Sequence, residues 1–308
     1  MIDVLLASYN GERYISEQIE SVLAQTCGDF TLHICDDCST DRTAELVRHY
    51  TKRYPDKVKL TVNEKNSGSA GNNFFKLLNA SSADYIMFCD QDDVWFKDKI
   101  ERTFAKMRQA EINFGESTPI LVHTDLTVAD KDLKVIAPSM FKAQHLDTSR
   151  IAVNNLAVQN VVTGCTVMLN RTLADRLNYI PSAVPVHDWW IALLTACCGR
   201  IVCLDEPTLY YRKHDTNVCG AQDMESAGYI MSRAADGKRA RLMMRYGYMQ
   251  AAEMAAAYGD KLGRDNFELL KGYGELVNKG YFERLDFVMK NKMFKSGVVR
   301  KVGQVIYL

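Results

Sequence analysis

The sequence has no surplus of either charge: 38 lysines and arginines stand against 38 aspartates and glutamates. No global basic field therefore points to nucleic acid as a partner. No apolar run approaches the roughly 20 residues that a membrane-crossing helix needs. No Gly-x-Gly-x-x-Gly follows the first apolar segment, which disfavours a dinucleotide-dependent dehydrogenase. A single CxxC occurs, Cys35 to Cys38, and no second CxxC or CxH pair accompanies it. Zinc binding and dithiol redox chemistry thus lack half of their ligands. No basic segment precedes the apolar start of MIDVLLASYNGERY, which reads as a first strand rather than a secretory signal. The nine cysteines are odd in number and sit mostly in apolar stretches such as HIC, MFC, TACC and IVC. Reduced, buried thiols in a cytosolic protein are the expectation. Internal repeats and low-complexity segments are also missing.

What remains is an ordinary globular composition, 47% hydrophobic and 25% charged over 308 residues. That length supports one large domain, or one domain with an appendage. The first 130 residues alternate two periodicities. Strands are expected at Asp3–Ser8, Phe30–Asp36, Val58–Val62, Asp84–Cys89 and Ile120–Thr124. Helices are expected at Glu12–Gln25, Asp41–Tyr54, Ala70–Asn79 and Lys97–Glu111; Ile15, Ile19, Val22 and Leu23 of the first recur at helical spacing. Short apolar strands alternating with helices predict an α/β fold with a mostly parallel sheet covered on both faces. Beyond residue 130 the pattern loosens. Lys131–Ser149 reads as a polar loop, Val161–Asn170 as a strand, Asp188–Cys198 as a helix and Arg200–Tyr211 as extended. From about Met224 the composition is helical.

Acids are concentrated where the strands stop. Asp36 and Asp37 end the second strand, and Asp90, Asp92 and Asp93, in FCDQDDVW, end the fourth. Like charges at this spacing resist burial unless something positive sits between them. In a parallel sheet both clusters face one rim, where open α/β sheets bind ligands. Two acidic clusters suit a hard divalent cation, Mg2+ or Mn2+, carrying phosphate in its open positions. Any one of these acids alone would read as a solvated loop residue.

Six segments in order resemble one family. They are ASYNGERYISEQIESVLAQT at 7–26, CDDCSTDRT at 35–43, NSGSAGNNF at 66–74, DQDD at 90–93, HDWW at 187–190 and YRKHDTN at 211–217. Over roughly the first 220 residues the chain resembles the family-2 glycosyltransferases of the GT-A fold, and among them the bacterial rhamnosyltransferase-like branch. The resemblance implies a donor pocket made by Ala7, Ser8, Tyr9, Asp36, Asp37, Asn66, Gly68, Asn73, Asp90, Gln91 and Arg212. Within it Asp37 would accept the imide N–H of uracil or thymine, and Asp90 would contact the ribose. Asp92 would hold the metal that bridges the two phosphates. His214 has two readings, a late metal or phosphate contact or an exposed loop histidine, and Arg212 with Lys213 could steady the diphosphate.

By the same resemblance Asp188 is the general base that deprotonates the acceptor hydroxyl for a single inverting displacement. An N-terminal helix cap is the plainer reading of the same residue. Thr163, Gly164, Cys165, His187, Trp189 and Trp190 would line the acceptor side. One of the two tryptophans is expected on a sugar and the other in the core.

The expected organisation is a catalytic domain at 1–220, its donor half 1–130 and acceptor half 131–220. A helical extension at 221–308 follows. The apolar and basic tail of that extension suits an anionic inner membrane surface or a second subunit. The expected reaction moves a sugar, first choice L-rhamnose from dTDP-L-rhamnose, to a saccharide or lipid-linked saccharide in polysaccharide or O-antigen synthesis. A UDP-hexose donor, or a non-catalytic carbohydrate-binding subunit, is the alternative. The expected site of action is cytoplasmic, peripheral on the inner face of the membrane.

Overall fold

The structure is a computed structural model that describes residues 1–182, 186–214 and 237–308. The last part of YRKHDTN and the stretch from Met224 to residue 236, expected to be helical, lie outside the described residues. The chain forms two compact units, each assembled from separate stretches. One comprises Met1–Met140, Thr163–Ile180 and Arg200–Gly220; the other comprises Phe141–Val162, Pro181–Gly199 and Ala221–Leu308. Residues 141–162 and 181–199 thus group with the C-terminal helices, whereas a linear reading assigns them to the catalytic stretch.

The first unit is built on a nine-stranded sheet. Its elements run β1 (Ile2–Ser8), α1 (Ile15–Leu23), β2 (Phe30–Asp36), α2 (Thr43–Arg53), β3 (Val58–Val62), α3 (Ala70–Ala80), β4 (Tyr85–Asp90), β5 (Val94–Trp95), α4 (Lys99–Phe114), β6 (Ile120–Ala129) and β7 (Val135–Ala137). After the short helices α5 (Met140–Ala143) and α6 (Val153–Leu156) of the chain come β8 (Met168–Asn170) and α7 (Arg171–Ala174), and later β9 (Arg200–Arg212). Strand order is β3-β2-β1-β4-β8-β6-β9-β5, with β7 beside β6. The pairs β3–β2, β2–β1, β1–β4 and β6–β9 are parallel; β8 runs antiparallel between β4 and β6. Every residue of β1 is buried, as a central strand covered on both faces requires. The order turns back at β1, flanked by β2 on one side and β4 on the other, so a crevice opens at the carboxyl ends of these strands.

Two segments differ from the sequence expectation. Val161–Asn170 is not one strand: Gly164–Thr166 is a 3-10 turn, and only Met168–Asn170 pairs with β4. The Lys131–Ser149 loop contains β7 and α5. Both segments are too short for a periodicity to declare itself.

Among the described residues, the second unit contains α8 (His187–Cys198) and the C-terminal helices α9 (Gly237–Tyr258), α10 (Arg264–Glu275), α11 (Tyr281–Lys290) and α12 (Val298–Tyr307). At Gly274 a Cβ would sit 2.6 Å from the Cβ of Ala252, so α10 meets α9 with no room for a side chain. No helix among the described residues is long and apolar enough to cross a membrane.

Buried histidines give the fold an acid weakness. Burial pushes His123, in β6, down to about 4 and His187, in α8, down to about 3, so both are neutral at pH 7. Unfolded histidine titrates at about 6.5, so between that value and the folded pKa the unfolded chain binds the extra proton. Stability is expected to fall as pH drops below about 6.5, by up to about 1.4 kcal/mol per pH unit for each group. Urea titrations at neutral and mildly acidic pH should show this slope, and His123→Gln should remove about one proton's share of it. An unchanged slope in the variant would mean that His123 is not the group responsible.

Candidate active site

The parallel register brings both acidic clusters to one rim. Ser8 lies opposite Asp36, and Ala7 lies between Cys35 and Asp90. The residues of CDDCSTDRT stitch this rim together. Asp36 accepts from the Ser39 amide at 3.0 Å, the Ser39 hydroxyl at 2.6 Å and the Ser8 hydroxyl at 3.1 Å. Asp41 accepts from the amides of Thr43 and Glu12, and Thr43 accepts from the Gly11 amide at 2.8 Å. Asn10 receives Thr40 and donates its own amide to Ser39. The spacing of Asp and Ser/Thr in this motif is what such a set of turn bonds needs.

Asp37 is buried, and its amide donates to the Ser8 carbonyl. Its carboxylate accepts from Asn63 at 2.7 Å and from the Ser67 amide and hydroxyl at 2.8 Å each. Three bonds leave about one of its four acceptor positions for a ligand. Asn66 donates to the Asp37 carbonyl and receives the Gly68 amide. Gly68 has φ +86°, the left-handed conformation that glycine adopts without strain. Asn73 is buried beneath, donating to the Cys35 carbonyl at 2.7 Å. Asn63 and Ser67, which tie Asp37 to this loop, were not singled out from the sequence; Asn63 precedes the NSGSAGNNF segment, and Ser67 is one of several polar residues within it.

Tyr9, exposed at the end of β1, is held by Gln91. The Gln91 side chain accepts from the Tyr9 amide at 2.9 Å and donates to its carbonyl at 3.1 Å. A Cβ at Gly11 would lie 2.3 Å from Oε1 of Gln91. Gly11→Ala is therefore expected to swing Gln91 away and cost about 1–2 kcal/mol for the two bonds. Chemical denaturation would measure that loss, and an unchanged midpoint would show that Gln91 re-forms its pair.

The DQDD turn has three distinct acids. Asp92, half-buried, lies 2.8 Å from Nε2 of His214, so these two expected metal residues are neighbours. Asp93 is fully buried, and the amide of Arg212 donates to it at 3.2 Å. Burial, then the charges of Asp92 and Asp90, pushes Asp93 well above the usual carboxylate range. Ligand atoms of Asp90, Asp93 and Cys165 all lie within 4.8 Å of one another. Cys165 was expected on the acceptor side; the 3-10 turn at Gly164–Thr166 instead carries its thiol to the acids, where burial holds it protonated. Thr163 and Gly164 lead into the same turn.

Arg212 differs from its expected role. It is buried, its Nε donates to the Asp92 carbonyl at 2.9 Å and its Nη1 to the Lys131 carbonyl at 2.6 Å. Nη2 pairs with Glu17, and the guanidinium lies 4.6 Å over the Tyr14 ring. A planar fork committed to three protein partners clamps the DQDD turn and is poorly placed to hold a diphosphate. Cys35 and Cys38 are free thiols; burial pushes Cys35 up to about 11, and Cys38 donates to the Asn63 carbonyl, so the CxxC serves packing.

In the second unit Asp188 lies in the first turn of α8, half-buried, and accepts from Nδ2 of Asn160 at 3.0 Å. The cap position belongs to Val186, so Asp188 is not the N-cap. A carboxylate in a first turn is favoured in its ionised form. Trp189 and Trp190 are both buried, and the Trp189 indole donates to the Leu156 carbonyl at 2.5 Å. Packing accounts for both rings, where one had been expected on a sugar. His187 is buried beside them.

Residues 3–175, more than half of the chain, match the family model "Glycosyl transferase family 2". A dTDP-rhamnosyl transferase, RfbG of Shigella flexneri, is 28% identical over 285 residues, 88% of this chain and 91% of that protein. WfgD of Escherichia coli, a UDP-Glc:alpha-D-GlcNAc-diphosphoundecaprenol beta-1,3-glucosyltransferase, is 32% identical over 195 residues, 63% of this chain and 70% of that protein. Among solved structures, residues 1–349 of S. aureus TarS in complex with UDP-GlcNAc share the fold at a TM-score of 0.58 and 19% identity. That likeness covers 94% of this chain and 80% of the other. The expected GT-A architecture is the one observed, and all strands of its sheet except β9 fall in the matched stretch. The chain belongs to glycosyl transferase family 2 and is a glycosyltransferase.

Proposed function

We propose that the protein transfers a sugar, with inversion, from a nucleoside diphosphate sugar to a saccharide hydroxyl during cell-surface polysaccharide synthesis. L-Rhamnose from dTDP-L-rhamnose is the donor of first choice. The observation that carries this reading is the shared rim, where in-register ends of β1, β2 and β4 bring Ser8, Asp36, Asp37 and Asp90 together. The relative RfbG, matched along most of both chains, supports the choice of donor. UDP-hexoses are the second reading, supported by WfgD. Uracil and thymine share the imide that the remaining acceptor position of Asp37 would read.

Mn2+ or Mg2+ is the proposed cofactor, and the donor set fits it. Asp90 and Asp92, which add to burial in raising Asp93, concentrate negative charge that a hard dication would balance. Asp92 and His214, 2.8 Å apart, are the residues that would hold it; Asp90 converges instead with Asp93 and Cys165, and a protonated Cys165 thiol is a poor ligand for such an ion. When bound, the ion supplies Lewis-acid neutralisation of the departing diphosphate. The rest is done by the chain. Ala7 to Tyr9 and Gln91 shape the wall for base and ribose, and Asn66, Gly68 and Asn73 shape the loop that presents Asp37. Arg212 keeps the DQDD turn in place. Asp188 takes the proton from the attacking hydroxyl, which needs only one base on the protein, unlike the paired carboxylates of glycosidases.

A donor panel tests the whole reading. Release of dTDP from dTDP-L-rhamnose, dependent on Mn2+ or Mg2+ and accelerated by a saccharide acceptor, is the expected result. Release only from UDP-sugars would replace the donor, and full activity in a chelator would remove the metal.

A further inference from the structure

Helix α12 is built inside out. Its buried residue is Gln304, 3% exposed, which donates to the Met293 carbonyl and accepts from the Lys295 amide, both at 2.8 Å. Most of its aliphatic residues face outward instead: Val298 is 79% exposed, Val302 51% and Ile306 60%, while Val305 is half-buried. With Val299 these residues fall within an arc of about 100° at helical spacing. On α11, Phe282 and Met289 lie seven residues apart, on one face, and are also exposed, with the exposed Asp286 between them. A helix that buries its glutamine and exposes most of its aliphatic residues presents an apolar surface that calls for a cover.

Charge says what that cover is. From Asp286 to Leu308 there are five basic residues and one acid, Asp286; Lys290, Lys292 and Lys301 are exposed, whereas Lys295 is half-buried and Arg300 donates to the Gln144 carbonyl. The stripe also borders an open cavity of about 570 Å3, whose lining includes Tyr281, Ile306, Arg241 and Arg245. The two arginines are one turn apart on α9, and Arg241 lies 5.5 Å over the Tyr307 ring. Arg284, also in the lining, is committed to the carbonyls of Leu276, Val277 and Leu308 and forms part of the floor. A second copy of the chain would bring the same excess of positive charge against itself. A surface of phosphate over hydrocarbon matches both halves of the pattern.

We propose that this face docks on an anionic phospholipid bilayer. The aliphatic stripe of α12 enters the boundary between headgroups and acyl chains, and Arg241 and Arg245 receive a lipid phosphate in the cavity. None of these residues belongs to the proposed transfer machinery, so the proposal stands apart from the choice of donor. Co-sedimentation of the full chain with vesicles tests it. The protein should bind phosphatidylcholine vesicles containing phosphatidylglycerol and not phosphatidylcholine alone, and salt should weaken the binding. Val302→Asp with Ile306→Asp should lower it by about tenfold or more, and Arg241→Ala with Arg245→Ala should remove the preference for the anionic lipid. Release of nucleotide from soluble donor should be unchanged in both variants, which shows that they fold. No vesicle binding, or binding that the aspartates leave intact, would overturn the proposal. So would a dimer in analytical centrifugation that Val302→Asp dissociates, because the cover would then be a second copy.

Discussion

Replacing Asp188 by asparagine should leave donor binding intact and lower transfer by about 10²–10⁴-fold, the usual contribution of a general base. The substitution is nearly isosteric, and the new amide oxygen can still accept from Asn160, so α8 should keep its first turn. What is lost is the basic carboxylate, favoured in its ionised form by the helix N-terminus. The readout is a split: titration calorimetry with the nucleotide should match the unsubstituted protein, while single-turnover transfer collapses. A loss that is merely structural would move the thermal midpoint and the nucleotide affinity together. Turnover close to normal would place the base elsewhere.

Asp92→Ala carries the second large effect. Asp92 lies against His214, and its backbone carbonyl receives Arg212. Only the side chain is removed, so the Arg212 clamp on the turn should survive. The expected result is a fall of at least about 10–100-fold in the Mn2+-dependent affinity for the nucleoside diphosphate, with little change in affinity measured without metal. Calorimetry in Mn2+ and in chelator makes the comparison. Unchanged affinity in Mn2+ would remove Asp92 as a ligand and shift attention to Asp90 and Asp93, whose carboxylates converge with Cys165.

Much of the first unit was legible because its signals are local. The apolar strands β1, β2 and β4 announce themselves as short runs bounded by polar turns, and their parallel order follows from the helices between them. The acids at the strand ends could be placed on one rim from that order alone. The short elements β5, β7 and β8 gave no period to read, because two or three residues satisfy any pattern. Trp189 and Trp190 were ambiguous for a different reason. An aromatic ring serves a core or a sugar with the same surface, and only the burial of both rings decides.

The sequence by itself determined the class of the fold, the family and the set of acids, since these rest on runs, periods and motifs that neighbouring residues carry. The tertiary structure alone decided what each polar group does. It committed Arg212 to Glu17, Lys131 and the DQDD turn, delivered Cys165 to Asp90 and Asp93, and turned Gln304 inward while Val298, Val302 and Ile306 of α12 face out. Those outcomes depend on hydrogen bonds and contacts between residues far apart in the chain, and a hydrogen bond's partner is fixed by distance and direction, which no local pattern of side chains records.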